Sequence, residues 1–232
     1  MGVRQDSRAR MESQIIEVGR RHLITDGPAG LSLRAIARDL GVVSSAVYRY
    51  VSSRDDLLTL LLVDAYSELA ARVDEAAAEG DPEWRGRILR MAHAAREWAV
   101  AQPASWSLLY GSPVPGYRAP AERTTGPGTR VVGALLGAVA AGIAAGDVAD
   151  VELAVTARLS TDFENLRQEF GFSGGDAAVA RTITLWAGLV GTISLEVFGQ
   201  YGSDTFGDPR EVFDLNIRTL VDLLTIPAPD PN

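Results

Sequence analysis

Apolar residues recur every three or four positions along most of the chain, and period-two alternation is nearly absent. That spacing puts them on one face of a helix and leaves a strand no buried side, so the fold class it dictates is all-α. Met11, Ile15, Val18 and His22 stand at i, i+4, i+7 and i+11, widened by Ile16 and Leu23, which predicts an amphipathic helix over about 8–25. Asp26-Gly27-Pro28 ends it. Leu33, Ile36, Ala37 and Leu40 repeat the pattern for barely two turns, with Ser32 placed as N-cap and Gly41 as the left-handed residue past the end. A short segment, Ser44 to Val51, follows, and Ser53-Arg54-Asp55-Asp56 has the capping-box pattern ahead of the apolar run Leu57 to Tyr66. Further helices are expected at about 83–101, 103–111, 119–145, 150–170, 176–201 and 208–225, with a proline-rich loop over 112–128.

Gly80-Asp81-Pro82 is the strongest break, because proline fits only the first turn of a following helix. The expected organisation is a three-helix unit over 1–53, a connecting helix over 54–79, a larger helical domain over 80–226 and a tail over 227–232. A chain of 232 residues can bury a sizeable core in such an arrangement.

Composition narrows the chemistry. The chain has no cysteine, which excludes disulfides and thiolate sites, and its two histidines, His22 and His93, have no ligand cluster beside them in sequence; neither a metal nor a cofactor is called for. There is no Gly-x-Ser-x-Gly elbow and no phosphate loop, so an enzyme is not expected. The uncharged run between Arg130 and Asp147 falls short of the roughly 20 residues needed to span a bilayer, and no secretory leader pattern opens the chain, which gives the cytoplasm as default location and no membrane partner. The net charge of −8 is unevenly spread. Residues 1–54 hold nine Arg against five acids, a net +4, while the other 13 Arg stand against 25 acids, a net −12. Cationic surface is thus concentrated at one end, where phosphates could be met.

Two short helices joined by Gly41-Val42-Val43 fit a helix-turn-helix, with Ile36, Ala37, Leu40, Val42 and Val47 between them. Ser44, Ser45, Ala46, Tyr48 and Arg49 face outward, and the small residues among them allow close approach to base edges in a major groove. The run Leu31-Ser32-Leu33-Arg34-Ala35-Ile36-Ala37-Arg38-Asp39-Leu40-Gly41-Val42, followed by Val47-Tyr48-Arg49-Tyr50-Val51-Ser52-Ser53-Arg54-Asp55-Asp56-Leu57, resembles the DNA-binding domain of the tetracycline-repressor (TetR) family over about residues 12–62. The resemblance implies that Ser32, Tyr48 and Arg54 meet phosphates and that Arg34, Val43, Ser44, Ser45 and Ala46 lie nearest the bases. Tyr50 stands where the family usually has His, and Arg54 where it usually has Lys. Arg4, Arg8 and Arg10 are either a groove-binding arm or a solvated tail.

In the larger domain Trp84, Ile88, Met91 and Trp98 share a helix face, and Trp106, Leu109 and Tyr110 follow on the next helix. Trp84, Met91, Trp98, Trp106 and Tyr110 are candidates for an effector pocket, with a packed core as the alternative. Arg158, in an otherwise apolar stretch, either pairs with Asp162 or binds an acidic ligand group. Residues 185–201 resemble the penultimate helix of a TetR subgroup named for a Trp-His-Gly signature; Trp186 and Gly191 match, while Val190 replaces the His. The resemblance implies that the stripe Trp186, Leu189, Ile193 and Val197 pairs with its symmetry mate, the alternative being a core helix within one chain.

The resulting expectation is a homodimeric DNA-binding regulator, a repressor released from a palindromic operator by a small apolar or amphipathic effector. A regulator whose body only dimerises or docks a protein partner is the alternative.

Overall fold

The structure, a computed structural model, describes residues 2–80, 83–149 and 151–225, with side chains from Ser7 onward. Asp81 and Pro82 of the expected boundary, Asp150 at the expected start of a helix, the side chain of Arg4 and the tail lie outside the described residues. Among the described residues there are ten helices and no strand: α1 (Gly2–Gly30), α2 (Leu33–Asp39), α3 (Ser44–Tyr48), α4 (Arg54–Ala78), α5 (Trp84–Ala101), α6 (Pro103–Tyr110), α7 (Ala121–Ala144), α8 (Ala157–Phe170), α9 (Asp176–Val197) and α10 (Pro209–Asp222).

Local chemistry sets most of the ends. α1 is kinked at Gly27, whose φ of 66° only glycine adopts readily, with Pro28 following. α8 begins seven residues later than the spacing suggests, because Thr156 is its cap and accepts from the Leu159 N–H; residues 151–156 precede it outside any helix. α8 stops at Gly171, in the left-handed conformation, and α10 opens with the Asp208 carboxylate accepting from Arg210 N–H and Pro209 in its first turn.

The chain packs as two units. The first comprises residues 1–68 and 102–128, the second 69–101 and 129–232. The division therefore falls inside α4, not at its end, and the segment from α6 to the start of α7 belongs with the helix-turn-helix. The reason is apolar packing: Ile15, Val18, Ile36, Val47, Leu57 and Leu61 form a buried cluster, and Ala104, Leu108, Val114 and Tyr117 pack against it. Arg20 of α1 also donates to Asp64 and Glu68 of α4, and Gln102 donates to Glu68.

In the second unit α9 packs against both α5 and α10. Leu185, Leu189 and Ile193 of α9 are buried together with Ile88 and Met91 of α5 and Phe213 and Ile217 of α10. Arg96 of α5 forks onto Glu196 of α9, both nearly buried, and stacks over the Phe213 ring. A Cβ at Gly142 would lie 2.8 Å from the Trp84 ring, so glycine is what lets α7 approach α5 there. By length and composition alone α7 and α9 could cross a membrane, which the uncharged run between Arg130 and Asp147 does not suggest; both carry buried core residues of the second unit.

Candidate nucleic-acid interface

α2 and α3 are joined through a turn closed by two backbone hydrogen bonds at the end of α2. Gly41, at φ 67°, donates to the Arg38 carbonyl at 3.1 Å, and Val42 donates to the Ala37 carbonyl at 3.0 Å. This is the Schellman arrangement that glycine permits at a helix end. Val47 is fully buried against the cluster holding Ile36 and Ala37, which fixes the inward face of α3. Val43, Ser45, Tyr48 and Arg49 are consequently exposed, Val43 at 71 %, while Ser44 and Ala46 are half-buried. Val43 starts α3 with no side-chain cap, its carbonyl accepting from the Ala46 N–H.

Beside α3 lies an open recess lined by Leu31, Ser32, Leu33, Arg34, Tyr48, Ser52, Ser53 and Arg54. It brings together four of the residues singled out in sequence: Ser32, Arg34, Tyr48 and Arg54. Hydroxyls, the N-terminus of α2 and two guanidinium groups in one shallow concavity suit a phosphate. Ser32 Oγ accepts from the Ala35 N–H at 3.4 Å, so it caps α2 as well as lining the recess. Arg54 is half-buried and donates to the Pro28 carbonyl at 2.7 Å, which ties the kink of α1 to the start of α4. Tyr50 lies outside the recess, packed against the apolar cluster with the Arg8 guanidinium over its ring. Ser52 and Ser53 also line the recess; Ser53 was legible in sequence only as the head of the capping box, and Ser52 carried no signal of its own.

His22 Nε2 lies 2.7 Å from Asp39 Oδ2 and joins α1 to the end of α2. That hydrogen bond, helped by the charges of Arg38 and Arg21, holds the Asp39 carboxyl below its ordinary range against an opposing effect of burial.

The residues proposed for an effector pocket do not form one set. Trp84, Met91 and Trp98 are buried in the core of the second unit, Trp84 donating from Nε1 to Asp147 at 2.9 Å. Trp106 and Tyr110 belong to the first unit, their rings 4.4 Å apart, with Tyr66 edge-on to Tyr110. Burial, with the nearby Tyr66, pushes the Tyr110 hydroxyl far above its usual value. Arg158 is exposed on α8 and, among the described residues, forms no ion pair with Asp162. An apolar cavity of about 40 Å³ lies instead between α7, α8 and α9, walled by Val132, Leu136, Leu166, Phe172, Ile183 and Trp186, with Arg167 at its edge. Arg167 pairs with Asp176 at 2.7 Å.

The expected dimer stripe is likewise divided. Leu189 and Ile193 are 2 % and 0 % exposed within one chain, so they serve its own core, whereas Trp186 and Val197 are half-buried. The outward face of α9 is Ile183, Ala187, Gly191 and Leu195, a different face from the expected stripe. Amphipathic spacing cannot say which of two apolar faces meets a chain's own core.

An all-helical chain whose capped helix-turn-helix sets an exposed third helix beside a cationic, hydroxyl-lined recess is a DNA-binding transcriptional regulator. Residues 15–61 match the family described as bacterial regulatory proteins of the tetR family, and residues 88–220 match the tetracyclin repressor-like C-terminal domain. The chain is 58 % identical over 225 residues to the HTH-type transcriptional regulators Rv1816 of Mycobacterium tuberculosis and Mb1846 of Mycobacterium bovis, covering 97 % of this chain and 96 % of each relative. The crystal structure of SCO4313, assigned a regulatory role, is similar at 30 % identity and a TM-score of 0.76 over 94 % of this chain and 98 % of that one. The protein belongs to the TetR family of transcriptional regulators.

Proposed function

We propose that this protein is a cytoplasmic homodimeric repressor that binds an approximately palindromic operator and leaves it when a small apolar or amphipathic molecule binds its C-terminal domain. The observation that carries the DNA side is the recess formed by Ser32, Arg34, Tyr48 and Arg54 beside the exposed face of α3. In this reading the recess seats a backbone phosphate and fixes register, while Val43, Ser44, Ser45 and Ala46 meet base edges. Ile183, Ala187, Gly191 and Leu195 of α9 offer an apolar face to a second copy, and Gly191 lets two backbones approach closely. Dimerisation would set two recognition helices about 34–36 Å apart on one face of the duplex.

The effector reading rests on the cavity between α7, α8 and α9. Its lining is apolar, and its edge residue Arg167 is already engaged by Asp176, so a neutral apolar molecule suits it better than an anion. At about 40 Å³ it admits only a small group without side-chain movement, for which the half-exposed Ile183 and Trp186 at its side provide room.

Sequencing of genomic fragments retained by the purified protein tests the DNA reading. Enrichment of one recurrent, two-fold symmetric site is the expected result. Retention of fragments no different from the input overturns it.

A further inference from the structure

The proposed phosphate recess is walled partly by Ser52 and Ser53, which lie in the turn between α3 and α4. After Arg54, at the start of α4, come two carboxylates, Asp55 and Asp56, of which Asp55 lies 3.8 Å from the Arg54 guanidinium. Asp56 is partly buried, and its two oxygens are divided. One accepts from the Ser52 N–H at 2.9 Å and the Ser52 hydroxyl at 3.3 Å; the other accepts from Arg123 Nη1 at 2.6 Å. Ser53 Oγ accepts in turn from the Asp56 N–H at 3.1 Å, closing the cap of α4. Arg123 stands in the first turn of α7, 67 residues further along the chain. The segment it ends is fastened a second time, where the Tyr117 and buried Thr59 hydroxyls lie 2.8 Å apart.

We propose that Arg123 is a positioning residue for DNA binding: it neutralises Asp56 and, through that carboxylate, holds the Ser52 turn in the shape that receives a phosphate. The proposal rests on the DNA-binding reading above. Two physical effects act together. Without Arg123 a full negative charge faces the incoming backbone, and its repulsion of nearby phosphates grows as salt is lowered. The carboxylate is also freed to reorient toward water, which loosens the acceptor of the Ser52 N–H. The lowered pKa of Asp56 accords with this arrangement: burial opposes ionisation, but the hydrogen bonds from Arg123 and from Ser52 outweigh it. The consequence for regulation is direct. The positioning group stands in the first turn of α7, so whatever shifts the start of that helix acts on the recess without touching DNA.

The test compares full-length variants for binding to a mixed-sequence duplex of about 30 base pairs, since phosphate contacts need no operator. Arg123→Gln is expected to bind about fivefold more weakly than the parent at about 50 mM salt, the gap narrowing to about twofold at about 200 mM. Asp56→Asn combined with Arg123→Gln removes the uncompensated charge while keeping an oxygen for the Ser52 N–H. It is expected to return within about twofold of the parent, as is Arg123→Lys. A purely structural role would lower thermal stability in the single and double variants alike and would give no such rescue. Parental affinity for Arg123→Gln at low salt overturns the proposal, as does a folded double variant as weak as the single one. Should Arg123→Gln fail to fold, the double variant and Arg123→Lys decide by the same twofold criterion. A parent that does not bind the duplex overturns the DNA reading itself, whereas a binding parent with unaffected variants overturns this inference alone.

Discussion

Asp39 shows how one side chain can fasten a DNA-binding helix. Its carboxylate meets His22 across the junction of α1 and α2, and that bond is the first reason for its depressed pKa. A carboxyl lowered in the folded state contributes stability that is complete above the unfolded value, about 4, and is lost as pH falls through the folded value. Asp39→Asn should therefore lower the thermal midpoint at pH 7, and the gap to the parent should close as pH is taken below about 4. An equal gap across that range, followed by circular dichroism, would show that the charge is irrelevant. Tyr48, exposed in the recess, allows a second single-atom test. Tyr48→Phe removes one hydroxyl, and a lost hydrogen bond to a charged phosphate, about 1.5–3 kcal/mol, should weaken binding to all duplex sequences alike. Replacing Ser45 by a bulky residue should instead change which operator is preferred in a competition selection. A uniform loss for Ser45 and a changed preference for Tyr48 would reverse the two roles.

α9 is the helix on which spacing and packing differ most. Leu189 and Ile193 face α5 and α10 inside one chain, so Leu189→Ala should cost about 2–5 kcal/mol in denaturant unfolding, as a large buried truncation does. Gly191 has open space where a side chain would begin, so Gly191→Glu should leave the fold intact and separate the proposed dimer in light scattering. A folded Gly191→Glu protein that stays dimeric would move the interface off this face. α7 makes the opposite case for glycine. A methyl group at Gly142 meets the Trp84 ring, held in turn by Asp147, and Gly142→Ala should destabilise by about 1–3 kcal/mol through overpacking. Unchanged stability would show that the Trp84 ring can yield.

For the whole molecule, α4 is a single helix whose first part packs in the unit that carries the helix-turn-helix and whose later part packs in the other. If an effector and DNA compete through the protein, each must weaken the other by the same factor, ordinarily about 5–150-fold. A small apolar compound that quenches Trp186 fluorescence should therefore bind more weakly in the presence of operator, and the quench should vanish in Trp186→Phe. Compounds that fill the cavity yet leave operator affinity unchanged would reduce the body to a dimerisation module.

The sequence by itself determined the elements and their order. Apolar spacing, Ser32, Gly41 and the capping box at Ser53 are local signals, and each acts within a few residues of its own position. The charge asymmetry and the α2–α3 pattern likewise made the DNA-binding end legible in the sequence. Which distant elements share a core was decided only by tertiary structure, because it depends on volumes and facing surfaces that no short window contains. Trp106 and Tyr110 joined the first unit and Trp84, Met91 and Trp98 the second, although all five have the same amphipathic character. Leu189 and Ile193 turned inward while Ala187 and Gly191 turned out, two residues along the helix deciding between core and surface. The tie from Arg123 to Asp56 belongs to the same class: neither residue carries a local signal for the other, and only folding brings the two charges to 2.6 Å.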